Sequence, residues 1–320
     1  MRFSDFQSNQ RVVQTLKAAA GGRRLSHAYL FHGTQGTGKR MLARIFAQAL
    51  LCTGEEKPCG RCPHCLKFAH DAHPDFSVVQ KPSDKNFILV DQIRTLREEI
   101  FIRPNEADHR VVLIENAEQM NPAAANALLK VLEEPPPYAV FLLTANNRDL
   151  LPETIASRCV CLEILEIPET QAERWLEAQF PGTDPKELHR AALYGGGNLG
   201  RSRSFLEEEA VRRRYGQALS LLSALANGKE FDVVAALAPF EGDKAGFLQL
   251  LQDFDGLLGR LAALPYGGTA DPELAPIASK ISPLRAAAMH DRIDGIRQRL
   301  FYNAGCPLTV ALFGAQLKEI

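Results

Sequence analysis

Apolar residues along this chain follow two rhythms, and the change from one to the other divides it. In the first half, short continuous apolar runs alternate with stretches whose apolar positions recur every three or four residues. AYLFHG (Ala28 to Gly33), FSVVQ (Phe76 to Gln80), RVVLIE (Arg110 to Glu115), AVFLLTA (Ala139 to Ala145) and CVCLEI (Cys159 to Ile164) read as five strands. Between them, KRMLARIFAQALL and VDQIRTLREEIF predict helices, the second from Val90, Ile93, Leu96 and Ile100. So does the stretch from about Asn121 to Glu133, which stops at Pro135, Pro136 and Pro137. Strands separated by helices, without tight hairpin signals, predict an α/β fold with a parallel sheet covered on both faces.

Near Ile167 and Pro168 the strand signal fades. TQAERWLEAQF and ELHRAALY predict short helices, the latter ending at Gly195, Gly196 and Gly197. From about Glu207 helical periodicity dominates, as in YGQALSLLSALA and GFLQLLQDFDGLLGRLAAL, with a polar Gly/Pro loop near Pro265 to Pro272. Three domains are expected: an α/β domain over 1–166, a small helical domain over 167–207 and an all-helical domain over 208–320.

Composition narrows the function classes. The 320 residues are 46% hydrophobic and 23% charged, near globular averages. Lys plus Arg number 37 against 38 Asp plus Glu, a balance that argues against coating nucleic acid by charge alone. Residues 1–50 nevertheless hold eight basic side chains (Arg2, Arg11, Lys17, Arg23, Arg24, Lys39, Arg40, Arg44) against one acid, Asp5. The start MRFSDFQSNQ lacks the apolar core of a signal peptide, and no run approaches a membrane span, so a cytoplasmic protein with no membrane contact is expected.

Two motifs carry chemistry. Gly33-Thr34-Gln35-Gly36-Thr37-Gly38-Lys39-Arg40 matches G-x-x-x-x-G-K between a strand and a helix, where glycines turn backbone N–H groups toward phosphate oxygens. Lys39 is placed to reach the β and γ phosphates. A Ser or Thr hydroxyl, which ligates Mg2+ in active loops, is replaced by Arg40, which cannot bind a cation. After the third strand, Glu115 stands where an acid holds the metal, but the next residue is Asn116, which cannot act as a base. Both departures predict a loop that does not hydrolyse nucleotide.

The second motif is Cys52-x6-Cys59-x2-Cys62-x2-Cys65, four of the seven cysteines within fourteen residues. Overlapping C-x-x-C steps with a fourth thiolate at the end of the preceding helix describe a closed tetrahedral zinc site. The insert is too polar to build its own core, so metal is expected to order it. His64 is a possible substitute ligand; Cys159, Cys161 and Cys306 read as small hydrophobes.

The phosphate loop, the cysteine insert, the helix Asn121-Pro122-Ala123-Ala124-Ala125-Asn126-Ala127-Leu128-Leu129-Lys130-Val131-Leu132-Glu133-Glu134-Pro135 and the later Thr154-Ile155-Ala156-Ser157-Arg158-Cys159 together resemble the clamp-loader branch of the AAA+ ATPases. The resemblance covers residues 1 to about 205; the remainder is similar only in size and class. It implies an AAA+ five-stranded parallel sheet with a zinc insert, a helical lid and a helical collar. It also implies a hetero-oligomeric ring with gamma/tau and delta subunits, which places a sliding clamp on primed DNA as a component of a DNA polymerase holoenzyme. Gamma/tau subunits hydrolyse ATP and have Lys-Thr or Lys-Ser in the loop and an Asp-Glu acid pair; this chain has Lys39-Arg40 and Glu115-Asn116. The resemblance thus implies a non-hydrolysing stator, with no polymerase or ATPase activity of its own. In it Gly33, Gly36, Thr37, Gly38 and Lys39 form a degenerate loop for ATP or ADP, and Arg158 is a trans arginine finger. Thr144 and Asn146 fall near the γ-phosphate sensor position, and Arg201 and Arg203 are candidate lid sensors. A gamma/tau-type ATPase that tolerates Arg40, and a zinc-dependent DNA-binding module, stay open as alternatives.

Overall fold

The five apolar runs pair into one parallel sheet in the order β2-β3-β4-β1-β5, the strands being β1 (Ala28–His32), β2 (Phe76–Val79), β3 (Arg110–Ile114), β4 (Ala139–Ala145) and β5 (Val160–Glu163). This computed structural model describes residues 2–319 apart from Gln7, Arg23, Lys229, Thr269, Ala270 and Asn303, and for Phe301 the backbone alone. Arg23, counted among the basic residues above, therefore lies outside the described residues. Leu30 stands opposite Leu143, and Leu143 opposite Ile114. All seven residues of central β4 are buried, whereas edge strands β2 and β5 alternate with exposed positions. That is why the central strands read as unbroken apolar runs.

Side chains alternate between the two faces, so the sheet has two cores. On one face, Tyr29, Phe31, Leu113 and Leu142 pack with Leu16 of α1 (Gln10–Ala20), Leu42, Ile45 and Phe46 of α2 (Lys39–Leu51) and Phe68 of α3 (Pro63–Ala69). On the other, Leu30, Ile114, Phe141 and Leu143 pack with Ile93 and Leu96 of α4 (Val90–Ile100) and Leu128 and Leu132 of α5 (Pro122–Glu133). Asn121 caps α5, its Oδ1 accepting the Ala124 N–H at 2.8 Å with Pro122 at the first turn; the triple proline ends it. Cys159 and Cys161 lie against this second core as small hydrophobes.

β4 fills its apolar run and the other strands stop a residue short of theirs; after β3 the Glu115 N–H still donates to the Val79 carbonyl at 2.9 Å, and the chain leaves the ladder at Asn116, with a left-handed φ of 50°. Three helices, α1, α3 and α6 (Glu153–Ala156), were not expected. The second lies inside the cysteine insert, started by the Cys62 sulfur, which accepts the Cys65 N–H, and by Pro63.

After α6 (Glu153–Ala156) and β5, the chain is helical: α7 (Glu169–Gln179), α8 (Pro185–Gly195), α9 (Leu199–Glu207), α10 (Glu209–Ala226), α11 (Glu230–Leu237), α12 (Lys244–Ala263), α13 (Ala275–Ala278), α14 (Pro283–Phe301) and α15 (Cys306–Lys318). The chain divides into two compact units, one of 1–175 with 195–201 and the other of 176–194 with 202–320. The stretch 167–207, expected to be a domain of its own, is shared between them. The second unit buries Phe247, Phe254, Leu258, Ile293 and Phe313, and holds two charged pairs in that interior, Arg214 with Asp253 at 2.6 Å and Arg260 with Asp271 at 2.9 Å. Among the described residues no helix is long and apolar enough to cross a membrane.

Candidate functional site

The phosphate loop leaves the end of β1, a central strand, and turns into α2 through three glycines with positive φ: Gly33 at 145°, Gly36 at 92° and Gly38 at 87°. None tolerates a side chain. A Cβ at Gly33 would lie 2.2 Å from the Ile164 carbonyl oxygen, and one at Gly36 would lie 2.3 Å from Asn198 Oδ1. Thr37 is buried and donates its hydroxyl to the Thr34 carbonyl at 2.9 Å.

Lys39 is turned inward. Only 6% exposed, its Nζ donates to the carbonyls of Gly33 (2.6 Å) and Thr34 (2.7 Å) and to Asn146 Oδ1 (3.1 Å). Burial lowers its pKa from the ordinary lysine value, opposed by the Glu118 charge. The Arg40 guanidinium Nε lies 2.7 Å from Glu115 Oε1, with side-chain exposures of 62% and 7%. A positive group from the loop thus sits on the acid at the end of β3, where active loops hold a divalent cation. Glu118 accepts the Asn146 N–H and Thr144 Oγ1 accepts the Asn116 N–H, so both residues near the sensor position tie strand ends together.

Three residues to which the sequence assigns no role, Asn198, Gly200 and Glu166, hold the loop from outside. Asn198 Nδ2 donates to the Gln35 carbonyl at 2.7 Å, and the Gly200 N–H donates to the Gly36 carbonyl at 3.0 Å. Glu166 Oε1 accepts the Thr34 hydroxyl at 2.9 Å. The available signal was the composition Gly197-Asn198-Leu199-Gly200, a polar residue between glycines, which allows close backbone approach. Of the candidate lid arginines, Arg203 pairs with Glu207 through Nε at 2.9 Å.

The sulfurs of Cys52, Cys59, Cys62 and Cys65 all lie within 4.8 Å of one another. Cys52 follows the last residue of α2, and Cys65 is on α3. The Cys59–Cys65 and Cys62–Cys52 sulfur separations are 4.0 and 3.8 Å. Zinc–sulfur bonds of about 2.3 Å impose edges of about 3.8 Å on a tetrahedron, so the donor set fits that ion. Backbone N–H groups of Gly54 and Cys59 point at the Cys52 sulfur, each at 3.3 Å. Burial pushes the Cys65 thiol up to about 12, while at Cys62 backbone N–H donors from Cys65 and Thr53 outweigh burial and bring it down to about 6. His64 faces away, its Nδ1 2.9 Å from His73 Nε2, and is not one of the cluster's ligands.

Arg158 lies between α6 and β5. Its terminal nitrogens donate to the Thr154 carbonyl at 2.9 Å and to Glu133 Oε1 at 2.8 Å. The acid it meets is the last residue of α5.

The family described as DNA polymerase III, delta subunit, matches residues 8–168, half of the chain. The chain is 38% identical to DNA polymerase III subunit delta' of Pseudomonas aeruginosa over 214 residues, covering 64% of this chain and 63% of that protein. It is 30% identical to DNA polymerase III subunit tau/gamma of Haemophilus influenzae over 279 residues, covering 81% and 40%. With DNA polymerase III subunit tau of Bacillus subtilis it is 35% identical over 160 residues, covering 49% and 28%, so the chain spans less than two thirds of the length of each of these relatives. A DNA polymerase III gamma subunit-related protein from Thermotoga maritima has the same fold, with a TM-score of 0.51, 20% identity and coverage of 96% of this chain and 98% of that one. The parallel AAA+ sheet, the cysteine cluster and these matches agree: the chain belongs to the clamp-loader family of DNA polymerase III subunits.

Proposed function

We propose that this chain is the delta-prime-type subunit of a DNA polymerase III clamp loader, a stator that hydrolyses no ATP and serves a neighbouring gamma/tau-type ATPase. The observation that carries the reading is the Arg40–Glu115 contact at 2.7 Å. Phosphoryl transfer to water needs a cation across the β and γ phosphates and a group that orients the attacking water. Here a guanidinium engages the carboxylate that would hold that cation, and Asn116 follows it. Lys39 must leave the Gly33 and Thr34 carbonyls before it can meet a phosphate. In this reading the loop is an architectural corner, and its glycines allow Asn198 and Glu166 to close on it.

The contribution to chemistry is made outward. Arg158 sits at the chain surface with its planar fork oriented by two acceptors, suited to charge building on a γ-phosphate bound by the next subunit. Cys52, Cys59, Cys62 and Cys65 would hold a structural zinc ion, which supplies folding free energy to the insert and no reaction step. DNA and the sliding clamp are met through the assembled ring.

The test is ATP turnover by the purified chain and by the ring reconstituted with its cognate gamma/tau and delta subunits. The reading expects no turnover by the chain alone and normal clamp loading by Lys39→Ala rings. ATP hydrolysis by the isolated chain, abolished by Lys39→Ala, would instead make it a gamma/tau-type enzyme.

A further inference from the structure

We infer that Glu133 is a positioning residue for Arg158, setting the direction of its guanidinium before any phosphate arrives; this rests on the reading of Arg158 as a group acting in trans. Glu133 is the last residue of α5. A carboxylate there faces the negative end of the helix dipole, and Glu134 beside it has the same sign, so the helix itself disfavours an acid at this position. Its compensation is Arg158, whose Nη2 lies 2.8 Å from Glu133 Oε1 while Nη1 donates to the Thr154 carbonyl at 2.9 Å. The backbone of Arg158 is also fixed, its N–H donating to the Ile155 carbonyl at 3.1 Å.

The planar fork is thus held from two sides, by the end of α5 and by α6. A guanidinium carries five N–H donors, and these two contacts leave others for an incoming anion. Arg158 keeps 36% of its side chain exposed and Glu133 49%. Water screens a pair that open, so its charge attraction is weak. What Glu133 supplies is direction: a long flexible side chain loses its rotamer freedom in advance, and the cost of ordering does not fall on the engaged state.

The experiment uses the full chain in the ring reconstituted with its cognate subunits, reading clamp loading on primed DNA against ATP concentration. Arg158→Ala is expected to slow loading by tenfold or more. Glu133→Ala should slow it by about tenfold at saturating ATP, with the half-saturating ATP concentration unchanged, because misplacing a reacting group by about 1 Å costs up to about a hundredfold. Glu133→Gln keeps an acceptor oxygen and should recover loading to within about threefold of the parent. The double variant should be no slower than Arg158→Ala alone. Parental loading by Arg158→Ala removes the trans reading itself. Slow loading by Arg158→Ala with parental loading by Glu133→Ala leaves that reading standing and overturns the role of Glu133, as does a double variant whose losses add. If Glu133→Ala melts early, Glu133→Asp decides, since it retains the charge but withdraws the oxygen: slowed loading with parental melting supports the role, and parental loading overturns it.

Discussion

Arg40 Nε and Glu115 Oε1 meet at 2.7 Å, joining the first turn of the helix after the phosphate loop to the end of the third strand through an ion pair that is open on the arginine side and buried on the acid side. The asymmetry matters, because the exposed cation can be removed with little loss of packing, while the acid left behind has no water to replace it.

Arg40→Thr should therefore restore a hydroxyl beside Glu115 and create a Mg2+-dependent component of ATP affinity absent from the parent. Titration with a fluorescent ATP analogue, with and without EDTA, checks this. Equal EDTA sensitivity in both proteins would show that the guanidinium does not stand in for a cation.

One zinc ion per chain is expected by metal analysis, since four thiolates close a single tetrahedron. Replacing Cys59 and Cys62 with Ser should release it and raise amide exchange across residues 52–65, while the sheet keeps its cooperative melt. Stoichiometric iron, or no metal at all, would contradict the assignment.

Arg158→Lys separates a phosphate-facing fork from a surface ion pair. Lysine keeps the charge but not the planar donors. Where an arginine in trans contributes about 10³ to 10⁵ in rate at one site, that site should fail with Lys as with Ala. Bulk ATP turnover by the ring should fall partially, and clamp loading more steeply. Parental loading by both variants would leave the chain as scaffold alone.

Asp75 gives the fold a pH limit. Burial pushes its carboxyl up, but backbone N–H groups of Asn105, Glu106 and Ala107 outweigh that and hold its pKa below the ordinary value. With the folded pKa depressed, this contribution is fully present above the unfolded value of about 3.9 and is lost as pH falls through the folded pKa. Asp75→Asn should lower stability near neutral pH and flatten the acid limb of a stability–pH profile. A parallel profile in the variant would rule Asp75 out as the responsible group.

Phe46→Ala should cost about 3–5 kcal/mol, because the ring is fully buried under the sheet with its centroid 5.0 Å from that of Tyr29. Urea denaturation measures the loss, and zinc content should not change. A cost below 1 kcal/mol would mean that the surrounding helices collapse into the space.

What could be read from the chain in advance was whatever depends on neighbours in sequence. Val111 to Ile114 and Ala139 to Ala145 announce central strands because both their faces are covered, and the cysteine spacing announces its cluster because three of its four ligands fall within one turn and its approach. Glu166 gave no such notice and Asn198 little: each meets the phosphate loop across more than 130 residues of chain, and only the glycines flanking Asn198 hint at a close approach. The partner of Arg158 is hidden for the same reason. Glu163 is nearer in sequence, but it runs along β5 opposite His32, and the acid within reach is on another helix. In α3, a proline after a cysteine starts a helix that the apolar periodicity does not announce.

One helix has its two ends in different sites: α2 opens on Lys39 in the phosphate loop and hands over to Cys52 in the sulfur cluster. Its length is consequently locked. One residue added or lost within it would turn Cys52 by about 100° about the axis and shift it by about 1.5 Å, carrying the thiol off the tetrahedron while the loop stayed in place. A whole turn would restore the facing but move the sulfur by about 5.4 Å, out of reach of an ion that the other three sulfurs would hold. Drift in length along this part of the chain must therefore fall between Thr53 and Pro58, where the path from Cys52 to Cys59 can lengthen or shorten without turning either end.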